Sequence, residues 1–159
     1  MTKMLCGYRV LDITQFVAGP TCSRLMAELG ADVIKIELTP TGDHARRSGL
    51  RSRKKEFERC TQSTYFAQHN HSKRSLAINL KSQKGQSLIK KLISKSDVLV
   101  ENFAPGVIGR MGLAYEEVKK INPEIVMCSI SFAGQNGPLA NEPGFDYMAA
   151  AYAGITGMI

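Results

Sequence analysis

The sequence lacks the features that mark a membrane-spanning, metal-binding or disulfide-stabilised protein. No window approaches the ~20 consecutive apolar residues that a membrane span needs, although 43% of the 159 residues are hydrophobic. The four cysteines, Cys6, Cys22, Cys60 and Cys128, show no C-x-x-C spacing, and the three histidines add no metal-ligand pattern. We therefore expect an ordinary hydrophobic core with free thiols and no metal site.

We also expect no targeting segment at the start of the chain. A strand-like run begins within a few residues of Met1, which leaves no room for a signal or transit peptide. A chain of this length would bury about 68–70% of the surface of its unfolded state as one ordinary domain. These observations predict one domain over residues 1–159 in a cytoplasmic protein without a membrane partner.

The net charge of +7 is concentrated in one segment, residues 44–60, which holds seven basic and two acidic residues. Such a segment could attract nucleic acid, an anionic surface or a polyphosphate ligand, or could be a solvated loop. It could also fold over a ligand site as a lid. Because no recognised nucleic-acid motif accompanies it, we expect no nucleic-acid partner.

Strand-like and helix-like patterns alternate along the chain, which is typical of an α/β fold with a doubly wound parallel sheet. The strands are expected at 8–13, 32–37, 75–79, 97–100 and 125–130. A first helix is expected with Pro20 at its first position and Gly30 at its end, and further helices are expected at 82–95, 106–111, 115–121 and 145–153. The apolar end after residue 153 favours a fragment, or a second chain that covers this end.

The residues that follow the first and fourth strands form the clearest candidate ligand site. In a parallel sheet the carboxyl ends of all strands share one edge, where a ligand crevice opens. The first strand leads into T-Q-F-V-A-G-P (14–20), a turn before a helix whose dipole favours an anion by roughly 0.3–1 kcal/mol. This turn is not G-x-G-x-x-G, so the standard dinucleotide fingerprint is absent.

Charged residues near the strand ends separate into two groups. Lys81 and Arg110 follow the third and fourth strands, so both are candidates for phosphate contacts at the carboxyl edge. Lys73 and Arg74 precede the third strand, so we expect them at the opposite edge as a solvated pair. Glu101 is expected to be a supporting structural acid.

Five motifs, in order, resemble those of the class III coenzyme A transferases. They are L-D-I-T-Q-F-V-A-G-P (11–20), L-G-A-D-V-I-K-I-E (29–37), K-R-S-L-A-I-N-L-K (73–81), V-E-N-F-A-P-G-V-I-G-R-M-G-L (100–113) and G-Q-N-G-P (134–138). This family includes formyl-CoA, carnitine-CoA and succinyl-CoA:dicarboxylate transferases, with α-methylacyl-CoA racemases as relatives. The resemblance implies the Rossmann-like, coenzyme A-binding N-terminal part of a larger fold in which two identical chains interlock as a homodimer.

The resemblance also implies which positions contact coenzyme A, although the sequence departs from the family pattern in three places. Some relatives have glutamine where Val17 stands, and some have a basic residue where Leu38 stands. Phe132-Ala133 stands where relatives usually have glycine followed by an aromatic residue. The implied contact positions are Val17, Ala18, Leu38, Ile78, Asn79, Leu80, Lys81, Asn102, Phe103, Arg110, Pro143 and Asp146.

The activity that the resemblance implies is transfer of coenzyme A between an acyl-CoA and a carboxylic acid, without a metal. In the family an aspartate attacks the acyl thioester to give a mixed anhydride, and the coenzyme A thiolate then forms an enzyme thioester. That aspartate normally lies some tens of residues beyond the P-G-F-D motif, so we expect it beyond Ile159. Asp146 would be a supporting acid, and we expect no catalytic residue and no turnover in this chain alone.

Two alternative functions remain at this point. Racemase relatives carry His-Asp where this chain has Phe145-Asp146, so a racemase would lack one of its two proton-transfer groups here. A non-catalytic module that binds coenzyme A or a nucleotide is the other alternative, if residues 1–159 are the natural product.

Overall fold

The strands of the described residues form one five-stranded sheet in which every neighbouring pair is parallel. A computed structural model describes residues 3–48 and 63–158. The sheet has the order β3-β2-β1-β4-β5, which confirms the predicted fold class. The strands are β1 (Arg9–Asp12), β2 (Asp32–Leu38), β3 (Arg74–Ile78), β4 (Val98–Glu101) and β5 (Val126–Ser129).

Helices connect these strands close to the predicted bounds. They are α1 (Ala18–Glu28), α2 (Thr64–Asn70), α3 (Gln83–Ile93), α4 (Val107–Arg110), α5 (Tyr115–Ile121) and α6 (Asp146–Tyr152), with 3-10 turns at His44–Arg47 and Ile155–Gly157. Helix α2 has no counterpart among the helices expected from the sequence. Its start is marked by Ser63, whose hydroxyl accepts a hydrogen bond from the backbone N–H of Phe66 as an N-cap.

The ends of α1 test two sequence predictions. Gly30 follows the helix with φ of +105°, a conformation that suits glycine at a helix end, and this prediction is confirmed. The prediction that Pro20 is the first helical residue is wrong, because α1 begins two residues earlier at Ala18. The proline is tolerated there because the N–H groups of the first helical turn have no intrahelical partner.

The two faces of the sheet carry separate apolar clusters because alternate strand residues point to opposite faces. Helix α3 packs on one face and α1 on the other, so both faces of the central strands are covered, as a parallel sheet requires. The first cluster includes Leu11, Ile34, Leu99, Ile89 and Ile93, and the second includes Val10, Val33, Val100 and Ala27. None of the helices in the described parts of the chain combines the length and apolar character needed to cross a bilayer.

The strand order reverses direction at β1, which positions the candidate site. From β1 the chain moves outward through β2 and β3, and it then returns to place β4 on the other side of β1. A ligand crevice forms at such a reversal, outside the carboxyl ends of the strands. In this sheet the β1–α1 turn and the residues that follow β4 stand at the reversal, so we expect the crevice there.

Side chains after β5 form a loosely covered region. The Phe132 ring lies 5.5 Å from the Tyr152 ring, and a Cβ atom on Gly144 would lie 2.4 Å from Cγ of Phe132. Phe132, which departs from the family pattern, therefore packs against the segment that leads into α6. The large apolar side chains of Phe145, Tyr147 and Met158 remain exposed.

Candidate ligand-binding site

Asn102, the residue after β4, connects the carboxyl end of β4 to the turn that follows β1. The side-chain Oδ1 of Asn102 accepts a hydrogen bond from the backbone N–H of Gln15 at 2.8 Å. Its Nδ2 donates to the backbone carbonyl of Gln15 at 2.8 Å. Because both ends of this amide group are engaged, Asn102 fixes the position of the β1–α1 turn.

A buried ion pair from β2 and the following loop holds the rest of that turn. Lys35 Nζ donates to the carbonyl of Thr14 at 2.9 Å and lies 2.9 Å from Oδ2 of Asp43, in an ion pair whose geometry is not that of a hydrogen bond. The other carboxylate oxygen of Asp43 accepts from the N–H of Phe16 at 3.1 Å. Side chains from three different segments therefore bind four successive polar backbone groups, from the Thr14 carbonyl to the Phe16 N–H.

The turn carries an exposed pair of stacked rings. Phe16 has φ of +64°, a left-handed conformation that non-glycine residues rarely adopt. Its ring stacks on that of His44, with centroids 5.5 Å apart and planes 16° apart. Gly19 packs closely against the Thr14 side chain, and a Cβ atom on Gly19 would lie 2.3 Å from Cγ2 of Thr14. Only glycine fits at that position.

Asp12, the last residue of β1, is the centre of a second buried charge cluster. Its Oδ2 accepts hydrogen bonds from Lys73 Nζ at 2.8 Å and from the Ser23 hydroxyl at 2.6 Å, and its Oδ1 accepts from the N–H of Thr14 at 2.9 Å. Burial alone would raise the pKa of Asp12, but the nearby Lys35 and Lys73 ammonium groups and these hydrogen bonds lower it. The carboxylate is thereby held ionised beside the turn.

The prediction of a solvated Lys73–Arg74 pair is wrong for Lys73. The Lys73 side chain is 1% exposed and also donates to the carbonyl of Pro20 and to Oδ1 of Asn70. Its long stem carries the ammonium group from the amino end of β3 to Asp12. The Arg74 guanidinium is 63% exposed, lies 2.6 Å from Asp32 and fits the prediction.

Arg46, one of the basic residues at 44–60, is part of the fold. Its Nε and Nη2 atoms each donate to Glu37 at 2.6 Å, and its guanidinium lies 3.8 Å from the centroid of the Phe66 ring. Burial would raise the pKa of Glu37, but Arg46, the Ser75 hydroxyl and the Asp43 N–H lower it to about 2. The predictions for residues 49–60 lie outside the described residues.

The structure gives the predicted contact positions different degrees of accessibility. Ile78 and Leu80 are buried in the core as whole residues, with 4% and 2% of their surface exposed. Lys81 and Arg110 are exposed, and neither side chain forms an ion pair or hydrogen bond with another described residue. Val17, Leu38, Asn102 and Phe103 are half-buried, whereas Ala18, Asn79, Pro143 and Asp146 are exposed.

Sequence reasoning missed the residues that fix the turn. Lys35 is embedded in a strand pattern, Asp43 in an irregular segment, and Lys73 beside another basic residue, so no local pattern marks them. Glu101, expected to be structural, is buried and accepts a hydrogen bond from the N–H of Phe103 at 2.9 Å. The Glu101 carboxylate therefore contacts the segment that directly follows its own strand, β4.

The parallel sheet, with its reversal of strand order at β1 and helices on both faces, defines a doubly wound α/β protein. The model of CoA-transferase family III matches residues 5–159, and the chain belongs to that family.

Curated relatives agree with this assignment. The succinyl-CoA:glutarate CoA-transferase of Mus musculus is 42% identical over 153 residues, covering 96% of this chain and 34% of the relative. The formyl-CoA:oxalate CoA-transferase of Bradyrhizobium diazoefficiens is 44% identical over 134 residues, covering 84% of this chain and 30% of the relative. The chain therefore spans about a third of the length of these relatives.

Solved structures share the fold. A mutant of a Mycobacterium tuberculosis protein matches with a TM-score of 0.87 and 34% identity, over 99% of this chain and 41% of that one. A CAIB/BAIF family protein from Brucella suis matches with a TM-score of 0.84 and 33% identity, over 98% of this chain and 40% of that one.

Proposed function

We propose that this chain forms the coenzyme A-binding part of an enzyme that moves coenzyme A between an acyl-CoA and a carboxylic acid. The observation that carries the proposal is the match of CoA-transferase family III to residues 5–159. Two relatives named for such transfers, with glutarate and with oxalate, support it. We assign the binding site to the carboxyl edge of the sheet beside β1.

Coenzyme A combines phosphates, an adenine ring and an extended thiol-bearing arm, and the residues around the crevice suit these parts. Lys81 and Arg110 are unpaired cations for the phosphates. Asn102 positions the β1–α1 turn, so that Val17 and Ala18 offer backbone groups to the ligand. The buried Ile78 and Leu80 would hold the exposed Asn79 and Lys81 in place, and Phe103 would offer an apolar contact.

The proposed chemistry uses an aspartate that lies outside this chain. Its carboxylate oxygen attacks the thioester carbonyl, the C–S bond breaks, and the electron pair leaves with the coenzyme A thiolate. The thiolate then attacks the aspartyl carbonyl of the resulting anhydride and expels the donor acid. The acceptor carboxylate reverses both steps. Holding coenzyme A beside the aspartate throughout makes each exchange effectively unimolecular.

In this proposal Asp146 is a supporting acid, and the whole enzyme is a cytoplasmic homodimer. The 159-residue chain alone would bind coenzyme A without turnover. It would also show no deuterium exchange at the α-carbon of a 2-methylacyl-CoA, in contrast to a racemase.

Calorimetric titration of the chain with coenzyme A tests the binding step. We expect Lys81→Ala and Arg110→Ala each to weaken binding at least tenfold, since a charge-assisted hydrogen bond contributes about 1.5–3 kcal/mol. Lys95→Ala is the matched control, because Lys95 is an exposed lysine beyond the C-terminal end of α3, away from the crevice. Equal losses in all three variants, or no binding by the unaltered chain, would contradict the proposal.

A further inference from the structure

We propose that Asp43 is a positioning residue for the bound coenzyme A thioester, and that the Phe16–His44 ring pair it aligns forms one wall of the binding site. The inference rests on the proposed function. It assigns a ligand-contacting role to two rings that lie outside the contact positions named above.

One carboxylate oxygen connects the two segments that carry these rings. Oδ1 of Asp43 accepts from the N–H of Phe16 at 3.1 Å and from the N–H of Ala45 at 2.9 Å. The first bond holds the β1–α1 turn, and the second holds the 3-10 turn that contains His44. A shift of this carboxylate would therefore move both rings relative to each other.

Lys35 restrains the carboxylate itself. The side chains of Lys35 and Asp43 are almost completely buried, and their ion pair also fixes the Thr14 carbonyl. Asp43 therefore contacts β2 through Lys35, the β1–α1 turn through Phe16 and the 3-10 turn through Ala45. This is the arrangement expected of a group that transmits a fixed position from the core to a ligand surface.

The packing of the core does not account for the ring pair. Phe16 is 43% exposed, His44 is exposed, and Phe16 has a left-handed backbone conformation. Strained backbone held by its surroundings is concentrated at ligand-binding sites. Two stacked, accessible rings beside the β1–α1 turn offer a flat surface to an apolar or π-faced part of the ligand.

Coenzyme A has such a part at each end, namely the adenine ring and the apolar arm with its acyl group. Adenosine 3′,5′-bisphosphate and an acyl-pantetheine contain one end each, so they serve as separate probes beside intact coenzyme A. Loss of affinity for either probe in the ring variants supports the inference and identifies the end that contacts the rings.

The experiment measures coenzyme A affinity of the 159-residue chain for Phe16→Ala, His44→Ala, Asp43→Ala, Asp43→Asn and the Asp43→Ala/Phe16→Ala double variant. Tyr8→Ala is the matched control, since Tyr8 is a similarly exposed aromatic residue at the amino end of β1. We expect the ring variants to bind about three- to tenfold more weakly, as stacked aromatic contacts predict. Tyr8→Ala should bind normally.

The double variant distinguishes positioning from a general loss of structure. If Asp43 acts through the rings, the double variant should bind no more weakly than Asp43→Ala alone, because coupled residues are not additive. Asp43→Asn keeps an acceptor oxygen, so it should recover most of the coenzyme A affinity that Asp43→Ala loses. This recovery is expected even where urea unfolding shows that Asp43→Asn is less stable than the unaltered chain.

Unchanged affinity in Phe16→Ala and His44→Ala, while the unaltered chain binds coenzyme A, would overturn this inference alone. Additive losses in the double variant would overturn the positioning role of Asp43. Failure of the unaltered chain to bind coenzyme A would overturn the proposed function and this inference together. If Asp43→Ala does not fold, the variants at the exposed rings, Phe16→Ala and His44→Ala, still decide whether the rings contact coenzyme A.

Discussion

The β1–α1 turn and the C-terminal segment 145–158 differ in how completely other described residues contact them. Side chains of Lys35, Asp43 and Asn102 bind four successive backbone groups of the turn. In the C-terminal segment the large apolar side chains remain open, with Phe145 72% exposed. The polar groups of the turn are therefore satisfied within this chain, whereas the described residues leave the apolar surface at 145–158 uncovered.

A substitution in the buried Asp12–Lys73 ion pair beside the turn tests this contrast most strongly. Replacing Lys73 with methionine keeps the stem but leaves Asp12 buried without its closest cation. Removing one partner of a buried ion pair costs about 3–5 kcal/mol, so we expect a loss of that size in the free energy of unfolding, measured with urea.

Arg74→Met is the matched control for Lys73→Met. Arg74 is the neighbouring residue, its ion pair with Asp32 is solvated, and Asp32 keeps Arg9 as a second partner. Exposed pairs contribute about 0–1 kcal/mol. Similar losses in the two variants would show that Lys73 is not part of a buried pair.

The pH dependence of stability is expected to report on Glu37, which anchors the loop that carries Asp43. A lowering of its pKa from 4.5 to about 2 corresponds to a stabilisation of about 3 kcal/mol. Because the folded-state pKa is the lower one, this stabilisation is complete above about pH 5 and is lost as the pH falls toward 2. Urea unfolding at several pH values measures this loss.

Glu37→Gln should be less stable near neutral pH and should lack this part of the acid dependence. Glu124→Gln is the control, since Glu124 is exposed and its carboxylate has no hydrogen-bond or ion-pair partner among the described residues. An unchanged acid dependence in Glu37→Gln would show that the Glu37–Arg46 pair does not stabilise this loop.

The sequence predicted the sheet because strand patterns and helix ends are local. The runs at 32–37 and 97–100 each contain three apolar residues, and helical patterns precede both runs and follow the second, so their parallel arrangement follows. The carboxyl-edge position of Asn102 and Arg110 follows from the same arrangement. Helix α2 was missed because its seven residues are too few for a clear helical period.

The buried charges could not be predicted in the same way. Lys73 and Asp12 are 61 positions apart, and Asn102 and Gln15 are 87 apart, so these contacts exist only after the sheet has formed. A lysine beside an arginine is usually solvated, and this general rule fails for Lys73 because α1, α2 and β1 together enclose its ammonium group.

The smallest expected effect lies in the C-terminal segment. Phe145→Ala should change the free energy of unfolding of this chain by no more than about 0.5 kcal/mol, because substitutions at exposed sites without partners rarely do more. Phe66→Ala is the same substitution at a ring that is 5% exposed and lies under the Arg46 guanidinium, and it should cost about 3–5 kcal/mol. Urea unfolding of both variants measures the difference. A loss for Phe145→Ala close to that for Phe66→Ala would mean that the segment packs against the chain in solution and that its apolar surface needs no further cover.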